Sequence, residues 1–174
     1  MQFDRHLFLI GFMGSGKSYW GRRLADAWQM PFVDLDERIV AEQGKSIPEI
    51  FQEQGEAAFR EMERAALHAL AQFPPAIVAT GGGTPCFFDN MDWMNSRGLT
   101  IYLKASPALL AARLLPEKKR RPLLANIPDS ALEAFIAQKL EERMPFYNLA
   151  QKVVDVATQD FMLVPGDEAS RLLR

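Results

Sequence analysis

The chain has 174 residues, 48% of them hydrophobic, and a formal net charge of −2. That length fits one domain with a substantial core and excludes wholesale disorder, while the slight negative balance argues against non-specific nucleic-acid binding. Cys86 stands alone, which excludes an intrachain disulfide framework and suits a reducing compartment; with no signal-peptide pattern and no apolar run near the ~18 residues of a membrane span, a cytoplasmic protein without a membrane partner is expected.

Short apolar runs alternate with helical patterns along the chain. Strands are expected at 6–10, 31–34, 76–80, 99–103 and 152–156. Between them, Ser46 with Glu49 and Ser130 with Glu133 match the capping-box spacing that starts a helix. Gly44, Gly55 and Gly98 stand where helices should stop. This alternation predicts an α/β fold, a parallel sheet covered by helices on both faces, with ligands at the carboxyl ends of the strands. The loops 11–18, 34–37, 81–85, 104–107 and 157–160 follow strands and so rank first as functional. His6 opens the first strand and His68 lies in a helical stretch, and neither has metal-ligand spacing. No repeat or linker divides residues 1–174, which read as a single domain.

Directly behind the apolar run Leu7-Phe8-Leu9-Ile10 comes Gly11-Phe12-Met13-Gly14-Ser15-Gly16-Lys17-Ser18, a complete G-x-x-x-x-G-K-S phosphate-binding loop, followed by a helical pattern. Backbone N–H groups around Gly14, Ser15 and Gly16 would turn inward on a polyphosphate, aided by the helix N-terminus. Lys17 would reach the β- and γ-phosphates and the Ser18 hydroxyl would ligate Mg²⁺. A nucleoside triphosphate is the expected ligand.

Phosphoryl transfer needs positioning and positive charge around the moving group. Asp34 and Asp36 end the second strand: one could hold Mg²⁺ through water while the other accepts a proton from a substrate hydroxyl. Capping of the next helix competes with both roles, and is the stronger reading for Asp34. Gly81-Gly82-Gly83, after a buried strand, permits close backbone approach with N–H groups facing an anion. Arg60 has Glu56 four residues before it, which explains it as a surface ion pair, and Arg143 reads as a solvated helix end. Residues 115–129 carry three prolines and the run Lys118-Lys119-Arg120-Arg121. Helix is disfavoured there, and in a phosphate-binding enzyme such a segment reads as a lid closing over the phosphates.

Gly-Phe-Met-Gly-Ser-Gly-Lys-Ser, Phe-Val-Asp-Leu-Asp, Ser-Ile-Pro-Glu-Ile-Phe, Gly-Glu-Ala-Ala-Phe-Arg-Glu-Met-Glu, Ala-Thr-Gly-Gly-Gly-Thr, Arg-Pro-Leu-Leu and Glu-Arg-Met-Pro-Phe-Tyr, in that order over roughly residues 6–160, resemble shikimate kinase. The resemblance implies a P-loop kinase fold with a five-stranded parallel sheet and a mobile lid at about 115–129. It implies ATP-dependent phosphorylation of the shikimate 3-hydroxyl, a step of aromatic amino-acid biosynthesis, with ATP and Mg²⁺; a monomer is expected. By motif, Asp36 binds the substrate hydroxyls and takes the proton, and Asp34 supports the Mg²⁺ that Ser18 ligates. Arg60, Arg143 and the Gly82 backbone hold the carboxylate. Arg121 and Lys17 meet the ATP phosphates. Two departures stand out. Tyr19 replaces the small residue usual after the P-loop Ser, though its backbone N–H can still meet a phosphate. The loop 157–160 lacks the basic residue some members place near adenine, leaving Arg113 as the candidate to stack there by position. Another small-molecule P-loop kinase, such as a gluconate kinase, and a nucleotide-binding regulatory module without activity are the alternatives.

Overall fold

The computed structural model describes residues 4–121 and 123–158. Its centre is β1 (His6–Ile10), whose five residues are all buried. Phe8 and Ile10 point into one apolar cluster and Leu7 and Leu9 into another, so the strand has a core on each face. A continuous apolar run, rather than an alternating one, is what a strand covered on both sides requires. Around it lie β2 (Phe32–Asp34), β3 (Ile77–Ala79), β4 (Gly98–Lys104) and β5 (Lys152–Asp155), all parallel, in the order β2-β3-β1-β4-β5. The expected strands are all present, with ends moved by a residue or so. The α/β expectation of a five-stranded parallel sheet holds.

One core is covered by α1 (Lys17–Trp28) through Leu24 and Ala25. The other is filled by α2 (Leu35–Gln43), α3 (Ile47–Ala69), α4 (Asn90–Arg97), α5 (Pro107–Leu114) and α6 (Leu132–Tyr147). Helix α3 begins with the expected capping box of Ser46 and Glu49. Gly44 ends α2 at φ 64°. Gly55 leaves helical dihedrals, at φ 82° and ψ 174°, but the chain resumes helix directly, so it breaks α3 rather than ending it.

Gly98 follows α4 and opens β4 with extended backbone, and its position is set by crowding: a Cβ there would stand 2.1 Å from the His6 carbonyl oxygen. The expected capping box at Ser130 is absent. A 3₁₀ turn at Asp129–Ala131 precedes α6, which has no side-chain cap, and i→i+3 bonds such as Ala131 N–H to Pro128 O (3.0 Å) occupy the amides instead. The described residues of segment 115–129 avoid α-helix as expected: a 3₁₀ stretch at Leu115–Arg120 is followed by turns, with Leu124 N–H donating to Arg121 O (2.9 Å). Lys118 ties it together through the Ile127 carbonyl (2.6 Å) and Asp129. Of loop 157–160, Gln159 and Asp160 lie outside the described residues. Among the described residues, no helix is long and apolar enough to cross a membrane.

Candidate active site

The carboxyl ends of β1, β2 and β3 meet on one side of the sheet, and the loops that leave them build two adjoining cavities. Between β1 and α1 the chain wraps through Gly14 (φ 79°) and Gly16 (φ 96°), left-handed conformations that L side chains rarely adopt. Gly16 caps α1 without a side-chain acceptor, so the first helix amides face the cavity. Lys17 Nζ donates to the carbonyls of Gly11 (2.8 Å) and Phe12 (2.9 Å). Burial lowers its pKa to about 8, with Asp36 and Asp34 opposing the shift. The Ser15 hydroxyl is buried without a partner.

Asp34 uses both carboxylate oxygens. Oδ1 accepts from the amides of Asp36 (3.0 Å) and Glu37 (3.3 Å), capping α2, and Oδ2 accepts from the Ser18 hydroxyl at 2.5 Å. The two readings of Asp34 are therefore satisfied together. Asp36 lies one step into α2, with Oδ1 buried and unpartnered. Burial raises its pKa to about 6, reinforced by Glu63 and Asp34.

The glycine triplet after β3 makes room for charged side chains. A Cβ on Gly81 would lie 2.4 Å from Glu63 Oε1, one on Gly82 3.3 Å from Arg143 Nη1, and one on Gly83 2.6 Å from Arg60 Nη1. Arg60 is 6% exposed, which corrects its reading as a surface residue. The expected bond to Glu56 is present at 2.9 Å, but Arg60 also pairs at 2.7 Å with Glu63, itself 1% exposed. Burial opposes the Arg60 charge, and the two glutamates outweigh it, holding its pKa above the ordinary value. The cause of the difference is the pitch of α3: Arg60 and Glu63 lie on the face that also carries Phe59 and Leu67 into the core. Arg143, expected to be a solvated helix end, instead lies over the Phe12 ring at 5.0 Å with a buried, unpartnered Nη1.

These residues line two spaces. One, of about 230 Å³, is bounded by Asp36, Arg60, Glu63, Gly81–Gly83, Arg121 and Arg143, with Pro48, Phe51 and Phe59 among its apolar walls. The other, of about 550 Å³, is bounded by Gly14, Gly16, Lys17, Ser18, Tyr19, Asp34, Arg113 and Arg121. Met13, Asp36, Gly82 and Arg121 border both. Arg121 donates to Glu117 at 3.3 Å and keeps a buried, unpartnered Nε. Arg113 donates to the Gly14 carbonyl at 3.1 Å, which puts it at the rim of the P-loop. Tyr19 is 59% exposed, with Trp20 edge-on at 5.3 Å and Arg23 over its ring at 5.5 Å. Every site residue expected from sequence borders one of the two cavities except Ser15, which is fully buried within the loop.

Glu63, Thr84, Arg120 and Tyr147 were not singled out by sequence. Thr84 donates to Glu63 at 2.6 Å and Tyr147 donates to the Gly82 carbonyl at 2.6 Å. Glu63 carried a usable signal, the i,i+3 spacing to Arg60 on an apolar helix face; the other contacts bridge distant segments. Cys86, half-buried against the core with its thiol pushed up to about 11 by burial, fits the filler role expected of it.

The family model described as shikimate kinase matches residues 13–162. A shikimate kinase of Phocaeicola vulgatus is 48% identical over 145 residues, 83% of each chain. The crystal structure of shikimate kinase from Bacteroides thetaiotaomicron superposes with a TM-score of 0.84 at 41% identity, covering 97% of this chain and 96% of that one. Shikimate kinase from Acinetobacter baumannii, solved in complex with shikimate, gives 0.82 at 32% identity, covering 90% and 85%. A gluconokinase from Sinorhizobium meliloti, at 22% identity and a TM-score of 0.58, shares the fold.

Proposed function

The chain belongs to the shikimate kinase family, and from that membership we propose how its residues divide the work of phosphorylating shikimate with ATP. The enzyme is a kinase that phosphorylates the 3-hydroxyl of shikimate, giving shikimate 3-phosphate. The observation that carries the residue assignment is the junction of the two cavities: Asp36 and Arg121 border both, with paired arginines on one side and the P-loop on the other.

Arg60 and Arg143 hold the acceptor's carboxylate, with Gly82 contributing backbone. Two guanidinium groups are a strong way to orient a planar anion, and Arg60 is already fixed by Glu56 and Glu63. Asp36 binds the reacting hydroxyl and takes its proton; with a pKa of about 6 it is ionised at neutral pH yet basic enough to accept. The ATP phosphates lie along Gly14, Ser15, Gly16, Lys17, Ser18 and the Tyr19 backbone. Lys17 and Arg121 stabilise charge on the transferring group, and segment 115–129 closes over it as a lid.

Ser18 and Asp34 fit a Mg²⁺ site. A hydroxyl and a carboxylate oxygen within 2.5 Å of each other, on the rim of the phosphate cavity, are hard oxygen donors of the kind this ion takes alongside phosphates and water. When bound, Mg²⁺ neutralises phosphate charge. The set is complete within a single chain and needs no partner subunit, and a monomer working in a reducing cytoplasm is the proposal that goes with it.

Shikimate-dependent ADP release tests the assignment. Asp36→Asn should remove turnover while leaving ATP binding, and Arg60→Ala should raise the KM for shikimate. An Asp36→Asn enzyme that keeps wild-type kcat would refute the role given to Asp36, and turnover with gluconate alone would refute the substrate.

A further inference from the structure

Near its end helix α6 carries Arg143, which lines the site, and one turn on Tyr147. Tyr147 is fully buried, with its ring 4.9 Å from that of Tyr102. Its hydroxyl does not merely find any acceptor: it donates to the carbonyl of Gly82 at 2.6 Å, across 65 residues of sequence. Gly82 in turn has no room to spare. A Cβ there would stand 3.2 Å from the Met13 amide nitrogen, 3.3 Å from Arg143 Nη1 and 3.5 Å from the Gly11 carbonyl oxygen. The glycine is thus wedged between the guanidinium and the P-loop, and the tyrosine hydroxyl is the side-chain bond that fixes its carbonyl.

We propose that Tyr147 is a positioning residue for the acceptor's carboxylate: by anchoring the Gly82 carbonyl to α6, it fixes the distance between the Gly82 backbone and the Arg143 guanidinium on the same helix. Two of the three groups proposed to meet the carboxylate are then referred to one element. Without the bond, the peptide planes around Gly82 can rotate, since glycine resists rotation less than any other residue. The anion would meet a guanidinium whose backbone partner is no longer held. Burial keeps the phenol protonated across the working pH range, so the donor is always available. The inference rests on the reading that Arg60, Arg143 and Gly82 hold the carboxylate.

Tyr147→Phe removes a single oxygen and keeps the ring packing, so it is the decisive variant. Steady-state kinetics are measured for shikimate and for its neutral carboxamide, with ATP as donor. The expected result is a rise of about five- to tenfold in the KM for shikimate, with kcat and the KM for ATP within about twofold of wild type. The wild-type preference for carboxylate over carboxamide should fall by the same factor. Equal rises in KM for shikimate and carboxamide, a matching rise for ATP, or no change at all would overturn the proposal, since a tyrosine that only packs the core has no reason to distinguish them. A second measurement covers a variant of lowered stability: the rise in melting temperature on adding shikimate should shrink while the rise on adding ADP is kept, and loss of both or of neither overturns the proposal. If wild type shows no preference for the carboxylate, or Arg143→Lys leaves the KM for shikimate unchanged, the clamp reading itself falls and takes this proposal with it.

Discussion

Asp36 and Glu63 face each other across Gly81, close enough that a single methyl group on the glycine would lie 3.1 Å from Asp36 Oδ1 and 2.4 Å from Glu63 Oε1. Burial, with the Glu63 charge beside it, holds Asp36 near pKa 6. Activity that needs ionised Asp36 should therefore rise with pH through about 6 in kcat/KM for shikimate. Glu63→Gln removes the neighbouring charge and leaves Arg60 with one ionic partner fewer, and both changes should move the acid limb to lower pH. An unmoved limb would rule out this coupling. At the alkaline end, kcat/KM for ATP should fall above about 8 as Lys17 loses its proton, because that parameter reports the free enzyme.

The same crowding sets a cost in stability. The folded-state pKa of Asp36 lies above its unfolded value, so its contribution is most favourable below pH 4 and is lost as pH rises through about 6. Asp36→Asn should accordingly stabilise the protein at pH 7–8, on the order of 2 kcal/mol, while lowering kcat by about 10²–10⁴. Thermal melts at pH 5 and pH 8 check the sign: the gain should be larger at pH 8.

Arg60 and Arg143 should separate in stability although both serve the carboxylate. Removing Arg60 leaves Glu63 buried without its partner, so Arg60→Met should cost about 3–5 kcal/mol at neutral pH. Arg143→Met gives up the contact with the Phe12 ring and an interaction with Tyr147 but also removes a buried nitrogen, Nη1, that has no partner, so its cost should be less than half of that. Denaturant titration of the two variants measures the difference.

Gly98→Ala tests the sheet. The added methyl would meet the His6 carbonyl at 2.1 Å, an atom of the central strand that cannot rotate away as a side-chain end would. The expected loss is about 2 kcal/mol or more, with kinetic constants of the surviving folded enzyme unchanged.

His6 gives an acid-side prediction. Its ring, 7% exposed, accepts the Ala76 amide at Nδ1 (3.2 Å), and burial holds its pKa below the ordinary value, with Arg97 adding to the effect and backbone partners at Leu70 and Ala76 opposing it. A lowered folded pKa means stability present above pH 6.5 and lost as pH falls through the folded value. Melting temperature should drop below pH 6.5, and His6→Asn, which keeps an acceptor without a titrating ring, should flatten that limb.

The strands were legible because a sheet covered on both faces writes its members as unbroken apolar runs, and the P-loop because its chemistry is local in sequence. Asp34 and Asp36 were legible for the same reason: two carboxylates at a strand end are read from adjacent residues. Arg60 and Arg143 were not selected by mechanics, since an acidic residue nearby in sequence explains each of them on a solvated helix. Their burial depends on which face of α3 and α6 packs inward, a tertiary fact, and only the resemblance pointed to them. Glu63 bonds Thr84 across 21 residues and Tyr147 bonds Gly82 across 65, pairings that no local pattern encodes. The missing cap at Ser130 shows the opposite failure, where a short motif was present but 3₁₀ bonds met the same need.

Asp34 divides its carboxylate between the Ser18 hydroxyl and the backbone amide of Asp36. The residue proposed to receive the proton is therefore suspended, through its own main chain, from the residue proposed to face the metal ion. Their separation is set by one turn of backbone two residues long and not by the packing of distant elements. The walls around acceptor and nucleotide come from separate elements, whereas this pair is carried on one stretch of chain, like two marks engraved on the same ruler.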